Sequence, residues 1–154
     1  MRRFGGFSLI EVLISLVIFS VGLLGLAALQ ATALKQNSTA WVRSQATQFS
    51  YDIADRMRVN LAAARNGDYD SDYPNTAPSC NPSLAPSGTL AQQDLAEWRN
   101  LLACWLPAGE GAVARSGNTF TISVRWCDEL DKDCTPETAG GDAKLQEFSF
   151  ETEL

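Results

Sequence analysis

From Phe7 to Leu29 the chain reads FSLIEVLISLVIFSVGLLGLAAL, 23 residues whose only polar interruptions are Ser8, Glu11, Ser15 and Ser20. Apolar positions lie all round a helical projection, whereas a core helix of a globular domain usually keeps a polar face. At ~1.5 Å per residue the segment would reach roughly 35 Å, enough to cross a bilayer core with some tilt. Arg2 and Arg3 precede it and Lys35 follows, so the positive-inside rule puts the N-terminus in the cytoplasm and the rest of the chain across the membrane. A conventional signal peptide would cut after Ala31-Thr32-Ala33, but its apolar region should be shorter, about 7 to 15 residues.

The pattern then changes. Residues 35–64 contain no Pro or Gly and many good helix formers. Trp41, Phe49, Ile53, Met57 and Leu61 share one face, and Gln36, Arg43, Gln48, Asp52 and Asp55 take the opposite one. A continuous helix is expected from Phe7 to about Ala64, on the order of 85 Å long, with Gly67 as its C-cap. Asp52 with Arg56, and Asp55 with Arg58, are spaced for ion pairs along the helix. Residues 66–90 read as loop, with four prolines. Asp94–Trp105 predicts a short amphipathic helix with Leu95, Trp98, Leu102 and Trp105 inward, stopped by Pro107.

Alternation marks two strands. Thr119–Trp126 puts Phe120, Ile122, Val124 and Trp126 on one side, and Leu145–Leu154 alternates through Phe148 and Phe150. Residues 128–144 join them as a polar loop, and Val113 with its neighbours offers a third strand. The fold class is therefore α+β: a long N-terminal helix, half in the membrane and half beyond it, packed on a small antiparallel sheet head. The expected division is 1–6 leader peptide, 7–29 transmembrane helix, 30–65 second half of the long helix, and 66–154 globular head.

Composition removes whole classes of function. The chain of 154 residues has no histidine, which excludes His-based acid–base catalysis, Ser-His-Asp and Cys-His nucleophiles, and His-containing metal sites. No other catalytic constellation is visible, so no enzyme activity and no cofactor are expected. A net charge of −6 argues against a nucleic-acid partner, which needs clustered Lys and Arg. Asp68-x-Asp70-x-Asp72 copies the start of an EF-hand loop, but Tyr73 and Ser79 stand where its glycine and bidentate glutamate belong. Asp128, Glu129, Asp131 and Asp133 could bind calcium or a basic partner, though a solvated loop accounts for them. No metal site is expected.

All four cysteines follow residue 79, which fits an oxidising compartment. Their spacing contains no CxxC knuckle of the kind zinc sites use. Of three connectivities the preferred one is Cys80–Cys104, tying the proline-rich loop to the short helix, with Cys127–Cys134 flanking a six-residue loop at a strand end.

Glu11 is costly inside an apolar helix and needs a partner, yet no Lys or Arg lies within one turn of it. A free amine made by cleavage before Phe7 would lie at i and i+4 from it, within one chain or across two packed chains. Gly6-Phe7-Ser8-Leu9-Ile10-Glu11 resembles the class III signal of type IV prepilins. The resemblance implies cutting by a prepilin peptidase between Gly6 and Phe7, N-methylation of Phe7, and a role for Glu11 in filament assembly. Gly5 stands where that signal often has a basic residue, with Arg2 and Arg3 keeping the leader positive. Related pilins melt near the depth of Gly22 and Gly25; close helix packing is the other reading of that pair.

GLLGLAALQATAL (22–34) and DIADRMRVN (52–60) are similar to the PilV branch of minor pilins. This implies an inner-membrane subunit with a periplasmic head that helps start pilus assembly and sits at or near the tip. Its implied partners are other minor pilins, the major pilin, a large tip adhesin, the prepilin peptidase and the inner-membrane assembly platform. A minor pseudopilin of type II secretion shares the same N-terminus, and an accessory subunit that binds surfaces or DNA is the other alternative.

Overall fold

The computed structural model describes residues 8–75, 78–127 and 145–154. Helix α1 spans Leu9–Val59 and α2 spans Leu61–Asn66. Helix α3 (Leu90–Trp105) and strands β1 (Glu110–Ser116), β2 (Thr119–Cys127) and β3 (Leu145–Glu153) follow. The chain divides into two compact units, residues 1–38 and 39–154. In the first unit, residues 8–37 are helix or its immediate start and every one is exposed. This part of α1 is long and apolar enough to cross a membrane, and none of its most apolar window is buried.

In the second unit the sheet is antiparallel with order β1-β2-β3. Gly117-Asn118 turns β1 into β2, with Gly117 at φ 65°, a positive torsion that glycine adopts without steric cost. Alternation does what the pattern predicted: Phe120, Ile122, Val124 and Trp126 are buried, beside Val113 of β1. They close a core with Ile53, Met57 and Ala54 of α1 and with Trp98 and Leu102 of α3. Phe148 and Phe150 of β3 pack on its margin, partly buried. A long apolar N-terminal helix packed on a small three-stranded antiparallel sheet is the α+β arrangement of type IV pilins.

Four expectations are corrected. The helix does not run unbroken to Ala64: Asn60 leaves helical torsions at φ −113° and ψ 50°, although its N–H still reaches Arg56 O at 3.1 Å. Asparagine's side-chain amide competes with the helix, and here Asn60 Nδ2 donates to Tyr69 Oη at 3.2 Å. Gly67 then caps α2 with φ 88°. Trp41 is half exposed, because the buried stripe runs through Val42, Ala46, Ser50, Ile53, Ala54 and Met57, one residue round the helix.

Helix α3 starts four residues early, at Leu90. Thr89 and Gln92 form a reciprocal capping box, Gln92 N–H to Thr89 Oγ1 at 3.3 Å and Thr89 N–H to Gln92 Oε1 at 3.0 Å. Finally, Trp105 is exposed. The buried series Trp98 and Leu102 continues at the next i+4 position into Leu106, which takes the inward place instead. The proposed loop 128–144 lies outside the described residues.

Candidate functional site

Glu11 occupies the first turn of α1, where a carboxylate interacts favourably with the helix dipole. The turn is closed by Glu11 and Val12 N–H groups on Ser8 O, at 3.0 and 3.3 Å. Glu11 shares an open surface groove with Val12, Ser15, Leu16 and Phe19. The hydroxyls of this segment bond back into its own helix: Ser15 Oγ to Glu11 O at 2.7 Å, Ser20 Oγ to Leu16 O at 2.7 Å, and Thr32 Oγ1 to Ala28 O at 3.1 Å. These three hydroxyls are thereby satisfied without water, the condition that a hydrocarbon surrounding imposes; the Glu11 carboxylate has no such bond within the described residues of the helix. Gly22 and Gly25 face open space. Gly6 and Phe7, the positions expected to be cut and methylated, lie outside the described residues.

The head holds two polar clusters. Arg56 reaches Asp52 at 3.0 Å on its own helix, then Asp94 at 3.2 Å and Glu97 at 2.8 Å on α3. Asp94 is buried and also accepts from Tyr69 Oη at 2.5 Å. Burial by itself lowers the Arg56 pKa, but the hydrogen bond to Glu97, the charge of Asp52 and the hydrogen bonds to Asp94 and Asp52 outweigh it and hold the guanidinium ionised. Arg58 pairs with Asp55 at 2.5 Å and also donates to Thr152 of β3 at 3.1 Å. The DIADRMRVN stretch is thus what α1 uses to grip α3, β3 and the segment around Tyr69. Both ion pairs expected along α1 are present; the contacts to Asp94, Glu97 and Thr152 have no signature in the local sequence.

The second cluster crosses the sheet, where Glu110, Arg125 and Glu147 are neighbours on three strands. Glu110, with no side-chain exposure, takes Arg125 Nε and Nη2 on its Oε2 at 2.6 Å each. Its Oε1 is buried without a hydrogen-bond partner. The Arg125 guanidinium also lies 3.9 Å from the centre of the Tyr73 ring, a cation–π contact.

Asp70 is engaged by Arg115 at 3.6 Å, and Asp68 accepts from Asn66 Nδ2 at 2.9 Å. Among the described residues no three His, Cys, Asp or Glu side chains are grouped to hold a metal ion. A disulfide joins Cys80 to Cys104, and reciprocal hydrogen bonds between Asn81 and Asn100 lie beside it at 2.8 and 3.0 Å. Cys127 is also disulfide-bonded; its expected partner Cys134 lies outside the described residues, as do Asp128, Glu129, Asp131 and Asp133.

Two tyrosines give the head a defined alkaline limit. Burial, then the hydrogen bond to Asp94, pushes Tyr69 up to about 12; burial, then the charge of Glu147, pushes Tyr73 up to about 12. A tyrosine in the unfolded chain ionises near 10, so between about pH 10 and 12 the folded state binds more protons than the unfolded state. Their contribution to stability is therefore complete below about pH 10 and is lost as pH rises toward 12. Denaturant midpoints in detergent should fall across this window, and Tyr69→Phe should flatten the fall; a midpoint unchanged up to pH 12 would contradict it.

The fold and the exposed apolar helix define an α+β pilin-like class. Comparison with known families matches residues 1–27 to the prokaryotic N-terminal methylation motif. The match supports the type IV pilin or pseudopilin class, whose members are structural proteins processed by prepilin peptidase and assembled with other pilins. No curated protein and no solved structure matches the chain.

Proposed function

We propose that the chain is a structural minor pilin of the PilV type that helps initiate type IV pilus assembly and stays at or near the tip. The methylation motif over residues 1–27 supports the pilin or pseudopilin part of this reading, together with the exposed apolar first part of α1 that holds Glu11 in its first turn. The PilV type rests on the resemblance of residues 22–34 and 52–60. Residues 1–6 are the leader, and cleavage between Gly6 and Phe7 frees the amine that is then N-methylated. Residues 7–29 store the subunit in the inner membrane, while residues 30–65 and the 66–154 head lie in the periplasm.

On assembly, Glu11 pairs with the N-terminal amine of a packed subunit. Pairing across two packed chains relieves the cost of a carboxylate in hydrocarbon, so it favours the bundle over the lone membrane helix. The partners in this reading are other minor pilins, the major pilin, a large tip adhesin and the inner-membrane assembly platform.

The test is the amount of pilin sheared from an in-frame deletion strain, with the retraction motor present and disabled. Loss of pili that partly recovers without retraction is the expected result. Normal pili in both backgrounds would point instead to a secretion pseudopilin or an accessory binding subunit. In the complemented strain, Glu11→Leu should insert in the membrane normally and leave few pili; unchanged pilus number would refute the role of Glu11.

A further inference from the structure

β3 is an edge strand. It pairs with β2 over all nine residues in unbroken register, from Thr119↔Glu153 to Cys127↔Leu145, and among the described residues no strand pairs with its other side. Such an edge presents unpaired backbone N–H and C=O groups, and proteins commonly guard it with Pro, Lys, a bulge or a very short strand. LQEFSFETE has no Pro, no Lys and no bulge.

The two faces of this edge differ in chemistry. Glu147, Ser149, Glu151 and Glu153 alternate on one face and are exposed. On the face toward α1, Phe148 and Phe150 are only partly buried. Half-exposed Tyr51 of α1 continues that surface, its ring 5.0 Å from Phe150, with Phe148 6.2 Å further along. Two copies of β3 laid edge to edge would bring glutamates together, and like charges on neighbouring strands are destabilising, whereas opposite charges there are favourable. The edge therefore discriminates against itself and in favour of a basic strand.

We propose that the outer edge of β3 docks an extended segment of another polypeptide as a fourth strand. That segment carries Lys or Arg on the face meeting Glu147, Glu151 and Glu153, and apolar side chains on the face meeting Phe148, Phe150 and Tyr51. Main-chain bonds supply affinity in this mode and the alternating side chains supply specificity. The site does not depend on whether the subunit serves a pilus or a secretion system.

The test uses the full chain in neutral detergent micelles and three labelled peptides: alternating Lys-Val, the same peptide with alternate amides N-methylated, and alternating Glu-Val. The Lys-Val peptide should bind and slow hydrogen exchange along β3, and the other two should bind at least about tenfold more weakly. Glu147→Lys, Glu151→Lys and Glu153→Lys together should transfer the preference to Glu-Val. Three results would overturn the proposal: no Lys-Val binding, equal binding of the N-methylated peptide, or β3 amides as protected as those of β2 in the free chain. Self-association of the chain through β3 would also overturn it, since the occupant would then be a second copy.

Discussion

Trp98→Ala is expected to cost the head about 3–5 kcal/mol, the range for truncating a large buried aromatic. Trp98 has no exposure, and its Nε1 donates to Phe49 O at 2.9 Å, joining α3 to α1. Its ring also fills the space over β1: a Cβ added at Gly111 would sit 2.3 Å from Trp98 Cη2 and 2.6 Å from Leu102 Cδ1. The glycine and the tryptophan are thus fitted to one another, and Gly111→Ala should destabilise by about 1–3 kcal/mol through overpacking. In a Trp98→Phe background the smaller ring leaves room, so the same glycine substitution should cost less. Denaturant unfolding of the four proteins in detergent, followed by near-UV circular dichroism, measures the coupling. Strict additivity would show that the two sites do not share this space.

Arg125→Met should be comparably severe for an electrostatic reason. Glu110 is completely buried and both of its short bonds go from Arg125 to one oxygen, while the other oxygen has no hydrogen-bond partner. Removing the arginine leaves a buried carboxylate uncompensated, at a cost of about 3–5 kcal/mol. Replacing both members by methionine removes the charge along with its partner, and buried pairs replaced by apolar groups are often neutral or stabilising. The double variant Glu110→Met with Arg125→Met should therefore recover most of the loss. If the single and double variants are equally unstable, packing of the Arg125 stem and not charge pairing is what the sheet needs.

The architecture was legible where side-chain period and burial coincide. Phe120, Ile122, Val124 and Trp126 alternate because one face of β2 meets the core. Helix faces were harder. Size suggested Trp41 and Trp105 as inward residues, but α1 approaches its neighbours through Ala46, Ser50 and Ala54, small side chains that a search for bulky apolar positions passes over. The apolar period sets the start of α3 four residues late, at Asp94, and passes over the Thr89-x-x-Gln92 capping spacing. Asp94 and Glu110 could not be found this way, since a buried carboxylate is tolerated only through partners 38 and 15 residues away. For the candidate site, the sequence singles out Glu11 by its isolation in an apolar run. The reach of Arg56 and Arg58 across α3 and β3 was not legible, because it depends on how the head folds back on the helix.

The Cys80–Cys104 bond also has a mechanical consequence. It encloses residues 81–103, nearly all of α3, and ties that helix to the loop before it, not to α1 or the sheet. Tension passing along the chain from α1 to the strands would cross from Cys80 directly to Cys104, so α3 stays out of the load path. At ~3.5 Å per extended residue, the oxidised head pulled from its ends should release roughly 80 Å less contour length than the reduced one. Its junction with α1 carries no such covalent limit: Trp98 and Arg56 hold that contact by packing, hydrogen bonds and charge.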